Sequence, residues 1–258
     1  MAYLYFDESI RDSGEFIVGA LVIAQENLSS TIHDHWREMG FDDPCAFEYK
    51  SSAPKFNDPQ SRQQRSVLRE LLHLSNLALT ICPCIERKQL GIHCTSLVTQ
   101  LQTTGLLTPG NHELYLDQNI FMPKEHIATL ISSGVSVHLN QDSRITAGLQ
   151  VADHAAHALG GMLLEEMQIL RKVVLAGEGS GYDPDLEIEL GFELWASLRY
   201  ALLGHNEYIP GLSPPPDDPA NPFFRVEGYG LFISPSCPEK LAEHARNCFG
   251  INYLGCIH

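Results

Sequence analysis

The stretch YLYFDES, beginning at Tyr3, brings two adjacent carboxylates, Asp7 and Glu8, to the end of what reads as a β-strand. Side chains alternate along a strand, so Tyr3, Tyr5 and Asp7 share one face and Leu4, Phe6 and Glu8 the other. A carboxylate that follows such an aromatic run stands where an apolar layer meets an edge. It is costly there unless a cation or hydrogen-bond donors meet it. The same grammar recurs in ELYLDQ, residues 113–118, where Asp117 follows Tyr115 by two positions. If the two strands are parallel neighbours, both aspartates emerge side by side at the carboxyl edge, where open α/β sheets bind ligands. A third carboxylate, Asp153, lies in the amphipathic run GLQVADHAAHAL, with Gln150 and His157 on its helical stripe and His154 beside it. Three bare carboxylates repel one another, so a divalent cation is expected between them. An oxygen-only donor set favours Mg²⁺ or Mn²⁺ over zinc.

The elements that must position these residues follow from periodicity and breakers. A polar turn through Asp12, Ser13 and Gly14 separates the first strand from EFIVGALVIA, so the two read as a hairpin. Residues 27–39 read as a helix starting from Asn27 or Ser29, and a second helix runs from about Pro59 to Leu74 with Arg62, Arg65 and Arg69 on one face. NLALTICPCIERK is a third strand, a helix is expected around 93–104, HELYLDQN is a fourth strand, and MPKEHIATLISS is a short helix with Pro123 near its first turn. VSVHLNQD is a fifth strand, followed by the long helix that carries Asp153. Hairpin strands followed by alternating strands and helices imply an α/β sheet with both antiparallel and parallel pairs. Beyond residue 170 the pattern weakens: one more helix is expected within 185–203, then a Pro-rich arm, a late hairpin or strand pair in FFRVEGYGLFIS, and a short helix from Pro238.

Composition bounds the function. The 258 residues, 44% of them hydrophobic, suffice for a sizeable core, and no apolar stretch approaches the ~20 residues that cross a bilayer, so the expectation is a cytoplasmic protein without a membrane partner. Seven cysteines without a CxxC pair do not make a disulfide framework. Cys237, Cys248, Cys256 and His258 lack the paired short loops of a structural zinc module and read as buried thiols beside a terminus. A net charge of −15 argues against a diffuse electrostatic grip on nucleic acid, so such contact must be local or metal-assisted. No GxSxG, Walker A or GxGxxG motif stands between a strand and a helix.

On YFDES at 5–9, FEYKSS at 47–52, LYLDQ at 114–118 and GLQVADHAAHAL at 148–159, the chain resembles the domain of unknown function 3800 family, whose members are similar to ribonuclease H-type proteins. The family usually reads Asp-Glu-Ser-Gly at the start, and Ile10 stands here in place of that Gly. The resemblance implies a ribonuclease H-like α/β fold: a mixed five-stranded sheet flanked by helices over residues 1–170, with a helical insertion near 27–75. Residues 171–258 then form a C-terminal extension with a Pro-rich arm near 211–222. It further implies Asp7 as the first-strand ligand, Asp117 as the fourth-strand ligand and Asp153 as the ligand on the last core helix, with Glu8, Glu48 and Asp142 in support.

Lys50 shares a face with Glu48 if that stretch is extended, where it could contact a phosphate. The function expected is a Mg²⁺- or Mn²⁺-dependent phosphodiesterase acting on RNA or DNA, with Lys50, Lys55, Arg62, Arg65 and Arg69 as the substrate-facing rim. Nucleic acid should bind weakly without metal. Two alternatives stay open: a non-catalytic binding or regulatory module of the same fold, and a metal hydrolase of small phosphoesters, which the acidic charge suits. A homo-oligomer is also open.

Overall fold

The structure, a computed structural model, describes residues 1–51, 58–176, 182–207 and 223–254. Ser52, Lys55, the Pro-rich arm, Cys256 and His258 lie outside them.

β1 (Tyr3–Arg11) and β2 (Phe16–Ala24) form the expected antiparallel hairpin, in register from Tyr3 opposite Ala24 to Arg11 opposite Phe16. The turn between them closes through Glu15, which is left-handed at φ 57°. Every residue of β2 is buried, which is why FIVGALVIA is apolar throughout instead of alternating. α1 (Leu28–Glu38) starts at Asn27, whose side chain accepts from the Ser29 N–H. It buries Leu28, Ile32 and Trp36 along a single stripe at spacing four, each worth roughly 1.5–3 kcal/mol when fully withdrawn from water. α2 (Pro59–His73) is capped by Asp58 and opens on Pro59, where a missing N–H costs nothing.

β3 (Asn76–Pro83), α3 (Leu90–Thr103), β4 (His112–Asp117), α4 (Lys124–Ser132), β5 (Val135–Gln141) and α5 (Gly148–Glu166) then alternate as expected. After α5 come β6 (Val173–Leu175) and β7 (Glu187–Glu189), which pair with each other, then α6 (Leu190–Leu198), β8 (His205–Asn206), β9 (Phe223–Arg225), β10 (Leu231–Ile233), α7 (Glu239–Phe249) and β11 (Ile251–Tyr253).

The central sheet has six strands in the order β10-β3-β2-β1-β4-β5, where five were expected. The added strand comes from the C-terminal extension: β10 runs parallel to β3, with Leu231 opposite Leu79. An uncovered β3 would present a row of unpaired backbone groups, and the extension supplies the cover. FFRVEGYGLFIS accordingly does not fold into a hairpin of its own. Its first part, β9, joins β8 and β11 in a separate small sheet, and its last part joins the main one.

Helices cover both faces. α1, α2 and α5 pack over Tyr5, Val18, Val22 and Leu79, and α6 and α7 pack on α5. α3 and α4 cover Leu4, Phe6, Ile17 and Leu21 on the other face. Among the described residues, no helix is long and apolar enough to cross a membrane.

Candidate metal centre at the carboxyl edge of the sheet

β1 and β4 are parallel neighbours, with Tyr5 opposite Tyr115 and Phe6 opposite Leu116. One residue further, Asp7 and Asp117 leave adjacent strands on the same face. Beneath them the Tyr5 and Tyr115 rings stack at 5.5 Å and 17°, and Tyr115 stacks in turn on His138 of β5 at 4.6 Å and 13°. This aromatic row ties three parallel strands together just before the carboxylates. Tyr5 is held at its far end too: its hydroxyl donates to Asn27 Oδ1 at 3.0 Å and accepts from the Leu28 N–H at 3.1 Å. Past Tyr115 the β4–β5 register shifts, so Asp117 leaves the regular ladder.

α5 brings the third carboxylate. Its first residue, Gly148, approaches the Tyr5 ring so closely that a Cβ there would lie 2.4 Å from ring carbons. Glycine is what lets the helix settle onto β1 at this point. One turn on, Gln150 Oε1 accepts from the Tyr49 N–H at 3.0 Å and Asp153 Oδ2 accepts from the Ser51 N–H at 2.8 Å. Two acceptors three residues apart on a helix thus hold alternate N–H groups of the 48–51 segment. The alternating residues, Glu48 and Lys50, meet each other instead, with Lys50 Nζ 2.6 Å from Glu48 Oε1. Glu48 also accepts from the Ser143 hydroxyl.

The electrostatics are those of crowded acids. Asp7 is 5% exposed, and burial first, then Asp117, Asp153 and Glu8, hold its carboxyl well above the ordinary range. Burial pushes Asp117 up to about 6; the Gln118 N–H and Lys50 oppose the rise, and Glu8 and Glu48 add to it. Asp153 is raised by burial against the pull of Ser51 and Lys50. Partial burial works against the Lys50 ammonium, but Glu48, Asp153 and Asp117 more than offset it. The donor set is all oxygen, and its crowding is the state a hard divalent cation relieves.

The carboxylates are not drawn into a closed cage. Among the described residues, the ligand atoms that all lie within 4.8 Å of one another belong to Cys82, Glu86 and His93 and not to the aspartates. Each aspartate is turned to a backbone donor: Asp7 to the Glu8 N–H at 2.7 Å, Asp117 to Gln118 and Asp153 to Ser51. Repulsion between the acids favours that outward arrangement.

The other candidates divide. By strand alternation Glu8 leaves β1 on the α3 face with Phe6, opposite Asp7, and burial raises its pKa. Its Oε2 is buried without a hydrogen-bond partner among the described residues. Asp142 does not cap α5; its carboxylate is held by the Arg144 guanidinium at 2.5 Å, and Arg144 first, then Lys50, pull its pKa down. Arg69 pairs with Glu193 of α6 at 2.5 Å, and Arg65 Nε donates to the Tyr49 hydroxyl at 3.3 Å. Arg62 and Arg65 are exposed. Burial with neighbouring arginines drives His154 down to about 3, and burial with Arg11 drives His157 down to about 4, so both rings are neutral near pH 7.

Two contacts around the carboxylates join residues far apart in sequence. Gln150, on the Asp153 stripe, holds Tyr49 from 101 residues away. Arg11 runs from the end of β1 to the His157 carbonyl at 2.5 Å, and its charge acts on Asp153.

No protein-family model matches the chain, and no curated protein matches it. Among solved structures, it is similar to a chain in the structure of the PCNA:RNase HII complex from Archaeoglobus fulgidus. The identity is 13% and the TM-score 0.37, over 72% of this chain and 84% of that one. A likeness this distant assigns no activity.

Proposed function

We propose that the protein is a divalent-metal-dependent phosphodiesterase of ribonuclease H-like fold that acts on RNA or DNA. The observation that carries the reading is the convergence of Asp7, Asp117 and Asp153, from β1, β4 and α5, on one edge of the sheet, where burial raises all three, Asp117 and Asp153 add to the rise of Asp7, and Glu48 adds to that of the other two. These three would hold Mg²⁺ or Mn²⁺. Bound there, the ion supplies a neutralising charge for a phosphodiester and lowers the pKa of an attacking water.

The remaining residues position and balance. The Tyr5–Tyr115–His138 stack fixes the height of Asp7 and Asp117 above the apolar layer. Gln150 and Asp153 fix the 48–51 segment, so Lys50 stands near Asp117 and Asp153 and lowers the pKa of both. Glu48 and Glu8 add negative charge around Asp117. Arg62 and Arg65 would contact the phosphates of a longer substrate. The free thiols of the six described cysteines suit a reducing cytosol.

A second reading, hydrolysis of small phosphoesters, is favoured by the engagement of Lys50 with Glu48 and of Arg69 with Glu193, which leaves less positive charge for a polyanion. The deciding experiment incubates the purified protein with 5′-labelled RNA and DNA oligonucleotides and with nucleotide-sized phosphodiesters, in Mg²⁺, Mn²⁺ or chelator. Cleavage of oligonucleotides that needs metal and disappears in Asp7→Asn supports the nuclease reading. Turnover of only the small substrates moves it to the second. No cleavage together with no Mn²⁺ binding by calorimetry removes both.

A further inference from the structure

On the other face of the sheet, three donors of different chemistry meet in the interior. Cys82 is the penultimate residue of β3, Glu86 lies four residues on in the 3-10 turn Cys84–Gln89, and His93 lies seven residues further in the first turns of α3. Their ligand atoms all lie within 4.8 Å of one another, and the residues are 0%, 8% and 5% exposed. Interior burial of a thiol, a carboxylate and an imidazole side by side calls for an explanation, because apolar side chains would fill the same space without a desolvation cost.

We infer that Cys82, Glu86 and His93 bind a zinc ion. One sulfur, one nitrogen and one oxygen donor are the ligand types zinc takes, whereas a hard Mg²⁺ would not select a thiolate. Zinc bonds of about 2.0–2.3 Å place tetrahedral ligand atoms about 3.3–3.7 Å apart, so the cluster needs little closing. The surrounding contacts already orient two of the ligands: Glu86 Oε2 lies 3.0 Å from His93 Nε2 and accepts from the Ser234 hydroxyl at 2.6 Å. A hydroxyl that steadies a metal-binding carboxylate is the usual outer support of such sites.

Ser234 directly follows β10, so this support comes from the C-terminal extension. Cys237, three residues later, donates to the Ile81 carbonyl beside Cys82 at 3.5 Å. The ion therefore fastens the extension to the end of β3. Cys82 packs with Ala78 against α3, whereas Asp7 follows Tyr5 toward α5, so the zinc site is separate from the carboxylate centre.

The test uses the whole chain, purified from zinc-supplemented culture without chelator. Elemental analysis is expected to find about one zinc per chain. Exchange with Co²⁺ should give a thiolate-to-cobalt charge-transfer band and the intense visible bands of a tetrahedral site. Both signatures should persist in Asp7→Asn and vanish in His93→Gln and Cys82→Ala. Glu86→Gln, a smaller change, should weaken zinc retention if the other two fail to fold. In the Asp7→Asn background, a strong chelator should lower the Tm and should leave that of the same variant with His93→Gln unchanged. A wild-type protein without the thiolate band, or zinc content unaltered in His93→Gln, overturns the assignment whether or not the carboxylate centre binds metal.

Discussion

Tyr5 and Tyr115 stack face to face at 5.5 Å across two parallel strands, and the next residue on that face of each strand is an aspartate. The ring pair reports the register directly. A slip of one residue would send one aspartate to the opposite face of the sheet and separate the acids. The aromatic layer also keeps water from beneath the carboxylates, which is why burial heads the causes that raise both.

Asp7→Asn removes the most confined of the three acids. Metal-dependent cleavage should fall by about 10²-fold or more, as for loss of a principal charge-stabilising group. The metal-free fold should be at least as stable as wild type, because one of several repelling carboxylates is gone. Urea melts in chelator check the second half; clear destabilisation there contradicts the electrostatic account.

Stability should depend on pH with a defined sign. Asp117 rises from the ordinary 3.8 to about 6, so the folded state holds its proton more tightly than the unfolded chain does. Its contribution is full below about pH 4 and is lost as pH rises through about 6. The shifts of Asp7 and Asp153 act in the same direction. His154 and His157, lowered to about 3 and 4, act in the opposite sense on every variant, so the check is the Tm of the wild type relative to Asp117→Asn in chelator, which should fall over that window. Mn²⁺ competes with those protons, so its stabilisation should grow over the same range.

Gly148→Ala forces a methyl group to within 2.4 Å of the Tyr5 ring. Overpacking of this kind costs about 1–3 kcal/mol and should lift α5, and Asp153 with it, away from β1. The expected result is lower Mn²⁺ affinity along with lower stability. Wild-type affinity in a destabilised variant separates helix seating from metal binding and refutes the link.

The basic residues of α2 should divide into two groups. Arg62→Ala with Arg65→Ala should weaken oligonucleotide binding and flatten its salt dependence by up to about 2 units of slope, one per lost phosphate contact. Arg69→Ala breaks the pair with Glu193 and should change stability and not the slope. Fluorescence titrations across a salt series distinguish the two behaviours.

The carboxylate centre was legible because strand alternation is strict and local: Tyr-x-Asp, twice, predicts two aspartates on the same face, and the helical stripe adds Asp153. The meeting of Glu48 and Lys50 was legible from their spacing of two residues. Contacts made across long sequence separations were not. Three residues of β10 carry no signal for pairing with β3, and Arg69 reads as a solvated cation until Glu193 is placed beside it. Cys82, Glu86 and His93 escaped for another reason: spacings of four and seven residues span a strand end, a 3-10 turn and a helix, so no single periodicity brings them together.

The pairing of Leu231 with Leu79 has a consequence for how the chain is made. During synthesis β3 emerges early, while its neighbour β10 follows only after most of the remaining chain. Until then one border of the sheet stays open, and a nascent chain in that state can template association with another copy. Fragments cut after α5 would carry that vulnerability permanently, so a shortened version of the protein should gather into aggregates even with every carboxylate of the centre intact.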